Sequence, residues 1–376
     1  MNKFLLCVVL VIAGTHVSGQ KKMIKRYLSS ETDSSRKASF MPIPVFRYAQ
    51  ETGMEFGLGA IYSKYLDKKD TLNRSSNFAT ILSASTKGQY NVSLKGDIWT
   101  KANKHHLIGE IRLRKMPFDF FGIGNETLEA NKDRLVQGQV RVTMEAERSF
   151  ARHLYSGFSL GFENYHFTDE VVGGPFTNDQ TLIHKIGGSV AYIGVSQSYD
   201  TRNSNNYTTR GFLARVSYQY SPDFWGGENF TGSIIKMNVR NFWSLSSKFV
   251  LGLNALYHTV QGKNTPFYLM QQMGNDEMMR GYYTGRYRDR NLLAAQAELR
   301  YRYNNRFGAV VFGGGGQVFD NGEFSARSFK PAYGAGGRYF FDPEKGLSIR
   351  MDYGIGEKRA NEKRQTGFYL TFAEAF

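Results

Sequence analysis

Cysteine is almost missing. The single one, Cys7, sits in the first ten residues, so no disulfide or thiolate metal site supports the rest of the chain. Long apolar runs are missing as well. Nothing after the first twenty residues approaches the roughly 18 apolar residues that a membrane helix needs, and mean hydropathy is only −0.43. Acids are outnumbered by bases, 33 against 48, and the formal charge of +15 invites a nucleic-acid reading. The arginines argue against it: many recur at every second residue, not in one patch or tail, which suits the lining of a lumen or contact with anionic head groups.

What is present begins with export. Residues 1–20 read MNKFLLCVVLVIAGTHVSGQ, with Lys3 ahead of an apolar stretch from Phe4 to Gly14 and a small-residue site at Val17-Ser18-Gly19. The run is too short to span a membrane, so it reads as a signal cleaved near Gly19–Gln20. Cys7 does not mark a lipoprotein, since it lies inside the apolar run behind Leu6. Aromatics make up 15% of residues and there are 40 glycines. Abundant aromatics at low hydropathy suit barrel walls, where polar and apolar residues alternate and cancel in any average.

The alternation is explicit. In Glu110-Ile111-Arg112-Leu113-Arg114 the charges share one face and the aliphatics the other. Gln296, Glu298, Arg300 and Arg302 oppose Ala295, Ala297, Leu299 and Tyr301, and Ser348, Arg350 and Asp352 oppose Leu347, Ile349, Met351 and Tyr353. Successive side chains of a strand point to opposite faces. A basic residue facing lipid at mid-bilayer costs roughly 2–4 kcal/mol, so the charged faces must point into a lumen. The alternative is a soluble sandwich with its polar face outward; export and the aromatic last strand oppose it.

About sixteen strands are predicted, near 41–49, 54–65, 75–87, 89–100, 103–116, 135–149, 152–167, 183–198, 207–221, 228–243, 246–262, 289–304, 306–318, 329–341, 345–356 and 365–376. Tight connections alternate with long ones over most of the chain, as short periplasmic turns and long outer loops should. The expectation is an all-β protein: one closed, 16-stranded antiparallel transmembrane β-barrel over 40–376, after a signal peptide (1–19) and a polar leader (20–39) lying outside the wall.

Several segments carry a resemblance. Pro42-Ile43-Pro44-Val45-Phe46-Arg47-Tyr48 with Glu51-Thr52-Gly53, Phe120-Phe121-Gly122-Ile123-Gly124-Asn125, Tyr199-Asp200-Thr201-Arg202-Asn203 with Arg210-Gly211, and Met279-Arg280-Gly281-Tyr282 are similar to motifs of the BamA/TamA superfamily, also called bacterial surface antigens. The last of these falls between strands eleven and twelve, the place of that family's sixth outer loop. The resemblance implies that residues 263–288 fold back into the lumen and that Arg280, Gly281 and Tyr282 form the loop tip. It further implies that Arg280 pairs with wall carboxylates. Glu298 matches one acid; Gly314 occupies the place of the second, and inward-facing Asp352 is positioned to compensate. Asp200, Arg202 and Gly211 match the periplasmic turn motif. Phe368, Leu370, Phe372 and Phe376 resemble a C-terminal assembly signal on one lipid face, interrupted by Glu374 near the rim. Family members that assemble proteins carry POTRA domains ahead of the barrel; about twenty polar residues cannot form one, so the chain resembles the barrel-only branch.

No enzyme constellation emerges. His105, His106, His153, His166, His184 and His258 are scattered without ligand spacing, and Gly313–Gly316 lacks the strand-loop-helix context and Lys-Ser/Thr of a phosphate loop. No metal, cofactor or nucleic acid is expected. The expected location is the bacterial outer membrane. Expected partners are its lipid and lipopolysaccharide, the outer-membrane assembly machinery during insertion, and other outer-membrane proteins. Two functions follow: an accessory factor for insertion or surface display of outer-membrane proteins, or a passive pore for small anionic solutes.

Overall fold

The computed structural model describes residues 35–49, 53–169, 173–224 and 229–376. The expected signal peptide, most of the leader and Glu51-Thr52 lie outside the described residues. Ser39, expected in the leader, opens the first wall strand.

Sixteen strands form one antiparallel sheet in chain order. They are β1 (Ser39–Ala49), β2 (Gly53–Tyr65), β3 (Ser75–Ser85), β4 (Tyr90–Trp99), β5 (His105–Phe120), β6 (Asp133–Ala151), β7 (Leu154–Asp169) and β8 (Gly187–Asp200). Then come β9 (Gly211–Ser221), β10 (Gly232–Ser244), β11 (Phe249–Gly262), β14 (Asn291–Arg302), β15 (Phe307–Phe319), β16 (Lys330–Asp342), β17 (Leu347–Ile355) and β18 (Thr366–Phe372). Between β11 and β14 a separate hairpin, β12 (Gln271–Met273) and β13 (Tyr287–Asp289), lies inside the long connection.

The alternation sets the faces. On β14, Gln296, Glu298 and Arg300 are buried while Leu299 is exposed; on β17, Arg350 and Asp352 are buried while Met351 and Tyr353 are exposed. Exposed Leu, Val, Ile and aromatic side chains on every wall strand make a surface suited to lipid rather than water. Inside, wall side chains pack against residues of the connections. Phe120, Leu135, Tyr165 and Phe167 of the wall pack with Phe176, Leu182, Phe267 and Tyr268 of two long connections. Those rings cap the end bearing the long connections, the outer end by the sequence reading.

Closure is where the expectation fails. Among the described residues β1 pairs only with β2 and β18 only with β17. Two sequence features explain it. Pro42 and Pro44 sit on β1, and a strand proline is tolerated where its missing N–H would have faced away from the paired neighbour. The free edge of β1 therefore lacks two donors. At the other edge β18 has only seven residues, because Ala373 adopts φ 64° and ends the strand before its expected limit at 376. Phe372 then packs against the cluster of Ile61, Phe341 and Leu347, to which Met41 and Ala79 also pack; Met41, Ile61 and Ala79 lie on the inner face of β1–β3. The last strand thus tucks inside the first three instead of meeting β1 edge to edge.

Candidate functional site

The connection between β11 and β14 descends into the lumen. Its turn is built from short-range chemistry: the Asn275 side chain accepts from the backbone N–H of Glu277 (2.8 Å) and Met278 (2.7 Å). Met279 (φ 56°) and Gly281 (φ 112°) then reverse the chain. Met278, Met279 and Tyr282 pack with Leu292, Ala294, Val318 and Ala332 of the wall, so the tip is held by apolar burial before any charge is counted. Each such side chain contributes about 1.5–3 kcal/mol.

Arg280 is fully buried and lies on Phe312, its guanidinium carbon 3.5 Å from the ring centroid. Its Nη1 donates to Asp352 Oδ2 (2.7 Å) and its Nη2 to Glu298. The tip approaches the wall through glycines. A Cβ at Gly354 would lie 2.5 Å from the Arg280 carbonyl carbon, and one at Gly281 would lie 2.7 Å from that of Ile355. Gly314 has no room for an acid, since a Cβ there would sit 2.7 Å from Gln296 Cα. Asp352, two strands further along the sheet from β15, provides the second carboxylate.

Around this pair the structure adds residues that the motif did not name. Arg300 bonds Glu298 at 2.9 Å; Arg338 and Arg350 bond Asp352 at 2.6 and 3.1 Å. Arg350 also reaches Asp276 of the loop (2.6 Å), and Arg338 reaches Glu374 (2.8 Å). Four arginines thus meet four carboxylates, which offsets the desolvation that burying each charge costs. Tyr369 of β18 joins the tip too: its hydroxyl accepts from Gly281 N (2.9 Å) and donates to Tyr282 O (3.3 Å). Parity in the last strand, opposite Phe368 and Leu370, was the only sequence signal for Tyr369. The Tyr282 hydroxyl donates to Pro331 O (2.7 Å) and accepts from Glu357 N (2.9 Å).

A second plug closes the opposite end. Asp200 accepts from Arg202 Nη2 (2.8 Å) and from Arg74 Nη1 (2.6 Å), which comes from ahead of β3. Gly211 (φ 110°) lies so close to Arg202 that a Cβ would be 2.8 Å from its Cα. The segment 201–210 crosses the mouth, where Asn206 Nδ2 donates to Ser75 Oγ and to Lys345 O, both at 2.9 Å.

The C-terminal expectation needs correction. Phe368 and Leu370 are exposed on the outer face, 67% and 60%. Phe372 keeps that side of β18 but is covered by β1–β3. Phe376 leaves the face altogether. Past the turn at Ala373 it packs on Phe242 inside the barrel, and its backbone carbonyl accepts from Arg300 Nη2 (2.8 Å). Glu374 points inward to Arg338 and does not interrupt a lipid row. An arginine and a phenylalanine already facing inward, Arg300 and Phe242, draw the tail in.

At this same end β1 is tied across the unpaired edge. Lys345 Nζ, in the turn between β16 and β17, donates to Lys37 O (2.6 Å), Ser39 Oγ (3.0 Å) and Asp342 Oδ2 (2.8 Å), and Ser39 Oγ donates to Asp342.

Comparison with known proteins agrees with this geometry. The Omp85 superfamily domain matches residues 83–376, well over half of the chain. No curated protein matches it. Among solved structures it is similar to BamA from Haemophilus ducreyi lacking POTRA domains 1–3, with TM-score 0.53 and 13% identity over 90% of this chain and 70% of that one. It is also similar to CdiB from Acinetobacter baumannii, with TM-score 0.54 and 12% identity over 89% of this chain and 59% of that one. These likenesses concern the fold. Family membership sets the location, the bacterial outer membrane, and the broad class, barrels of outer-membrane protein assembly or secretion. The chain belongs to the Omp85 superfamily.

Proposed function

We propose that this barrel is an accessory factor in the insertion or surface display of other outer-membrane proteins. The observation that carries the reading is the unpaired edge between β1 and β18, beside a lumen occupied by the loop between β11 and β14. The free edge of β1 lacks the donors of Pro42 and Pro44 but keeps its carbonyl acceptors, and β18 also has a free edge; such edges can take an incoming strand by β-addition without a preformed pocket. A passive pore needs the reverse, a closed wall and an open lumen.

On this reading Arg280, Gly281 and Tyr282, gripped by Glu298, Asp352 and Tyr369, brace β14–β18 as one unit, so that movement concentrates at the β1 edge. Asp200, Arg202 and Gly211 hold the opposite mouth shut. The extended run through Phe368, Leu370, Phe372 and Phe376 is read by the assembly machinery before the tail folds inward. A client or partner meets it at the wall, the free edge, the outer loops or the segment 21–39, within outer-membrane lipid and lipopolysaccharide. Gene deletion followed by outer-membrane proteomics tests this. Selective loss of other surface proteins is expected; an unchanged proteome with altered uptake of small anions would overturn it in favour of the pore.

A further inference from the structure

The inserted loop does not fill the lumen completely. A cavity of about 670 Å³ remains between it and the inner faces of β5, β6 and β18, bordered among others by Arg114, Gln137, Tyr268, Tyr283, Arg288 and Tyr369. That volume lies within the range of small-molecule sites, roughly 300–1,000 Å³.

Its charges are unusual for this barrel. Among the described residues five arginines are fully buried: Arg280, Arg286, Arg288, Arg300 and Arg350. Four of them have carboxylate partners, Arg286 through Glu362 at 3.2 Å and the others as described above. Arg288 is the exception. Among the described residues it has no ion pair, and its Nε and Nη2 have no hydrogen-bond acceptor. It rests instead among Phe118, Phe120 and Phe267, whose ring centroids lie 5.6, 5.0 and 5.7 Å from its guanidinium carbon. Arg114, on the cavity wall, donates to Gln137 Oε1 (2.7 Å), while its Nε also lacks an acceptor. The bordering carboxylate, Glu55, takes a hydrogen bond from Ser83 Oγ (2.8 Å). Cation–π contact offsets only part of the cost of burying a guanidinium, and the remaining donors call for an anion.

We propose that this cavity is a binding site for an organic anion: a carboxylate or phosphate group on an apolar or aromatic body. Arg288 and Arg114 take the charged group, and Phe118, Tyr268 and Tyr283 take the body. The site is distinct from the Arg280 cluster, whose charges are already matched, and it does not depend on the assembly reading. Its border includes Thr366 and Gly367 at the start of β18, next to the unpaired edge. The anion can therefore be a soluble molecule arriving past the outer loops or a lipid phosphate reaching in from the bilayer.

The test uses the whole protein in nanodiscs of neutral phosphatidylcholine, with phenyl phosphate as the probe in titration calorimetry. Saturable binding at one site is expected. Arg288→Gln and Arg114→Gln should each weaken it about 10-fold or more, because a hydrogen bond to a charged group contributes roughly 1.5–3 kcal/mol. Thr284→Glu leaves both arginines in place and sets an acid at the exposed border of the cavity; it should weaken binding similarly, and heat-modified gel migration shows that each variant is folded. Discs containing anionic phosphatidylglycerol then separate the sources. Reduced apparent affinity for the probe identifies lipid phosphate as the occupant, and unchanged affinity identifies a soluble anion; both outcomes uphold the site. Absence of saturable binding in neutral discs, or binding that survives all three substitutions, overturns it.

Discussion

Arg280 is held by two carboxylates that do not depend on it equally. If Arg280 becomes alanine, Glu298 keeps Arg300 and Asp352 keeps Arg338 and Arg350. If Asp352 is lost, three buried arginines lose a partner at once. Asp352→Asn should therefore destabilise the barrel more than Arg280→Ala, although breaking a buried pair from either side costs on the order of 3–5 kcal/mol. The midpoint of heat-modified gel migration measures this, and the reverse order would show that Arg280 alone organises the cluster. Arg280→Ala combined with Glu298→Ala should be less than additive, since both remove one interaction. Gly354→Ala separates sterics from charge. Its Cβ would press on the Arg280 backbone, so the tip should become accessible to protease with every charge retained.

At the level of elements, the inserted loop carries a pH-sensitive anchor. Asp289, on β13 of the inserted hairpin, is 95% covered (5% exposed), and this burial, reinforced by Asp320 and Glu323, pushes its carboxyl up to about 6. An acid raised above its unfolded value near 3.9 binds its proton more tightly when folded, so stability is greatest below about pH 4 and declines as pH rises to about 6. Protease protection of the loop should follow that slope. Asp289→Asn should flatten it and protect the loop better at pH 8, because the amide oxygen can still accept from Arg290 N (2.7 Å). A slope that persists in the variant would place the titrating group elsewhere. The tail offers a second test: Phe376→Ala removes the contact with Phe242 and should raise protease access at the periplasmic mouth while leaving the outer loop protected.

For the molecule as a whole, the unpaired edge is unevenly restrained. Lys345, Asp342 and Ser39 clamp β1 at the end bearing the tight turns. Asp342→Asn should speed hydrogen exchange of β1 amides while β5–β7, in the middle of the sheet, stay protected. Uniform acceleration would mean that the clamp supports the entire barrel. Conductance reports on the plugs. The intact protein should pass little current in planar bilayers, and removal of residues 275–284 should open it; a large wild-type current would contradict a filled lumen.

The period-two alternation of polar and apolar residues by itself determined the all-β class, the sixteen wall strands and which face of each looks inward, because a one-residue slip would turn every charge to lipid. Glu110-Ile111-Arg112-Leu113-Arg114 states that rule within five residues. Spacing also located the loop tip, since Met279-Arg280-Gly281-Tyr282 falls in the longest connection. Three things were beyond such local patterns. Parity and the resemblance already put Asp352 forward as a partner for Arg280, but the tie from Tyr369 to Gly281 and the inward turn of Phe376 to Arg300 join residues 88 and 76 positions apart. Failure of the sheet to close depends on how the Phe372 side meets the inner face of β1–β3, a contact between chain ends that no strand pattern encodes. The unpaired state of Arg288 is likewise a property of the assembled lumen: only the placement of every carboxylate decides which buried cation is left without one.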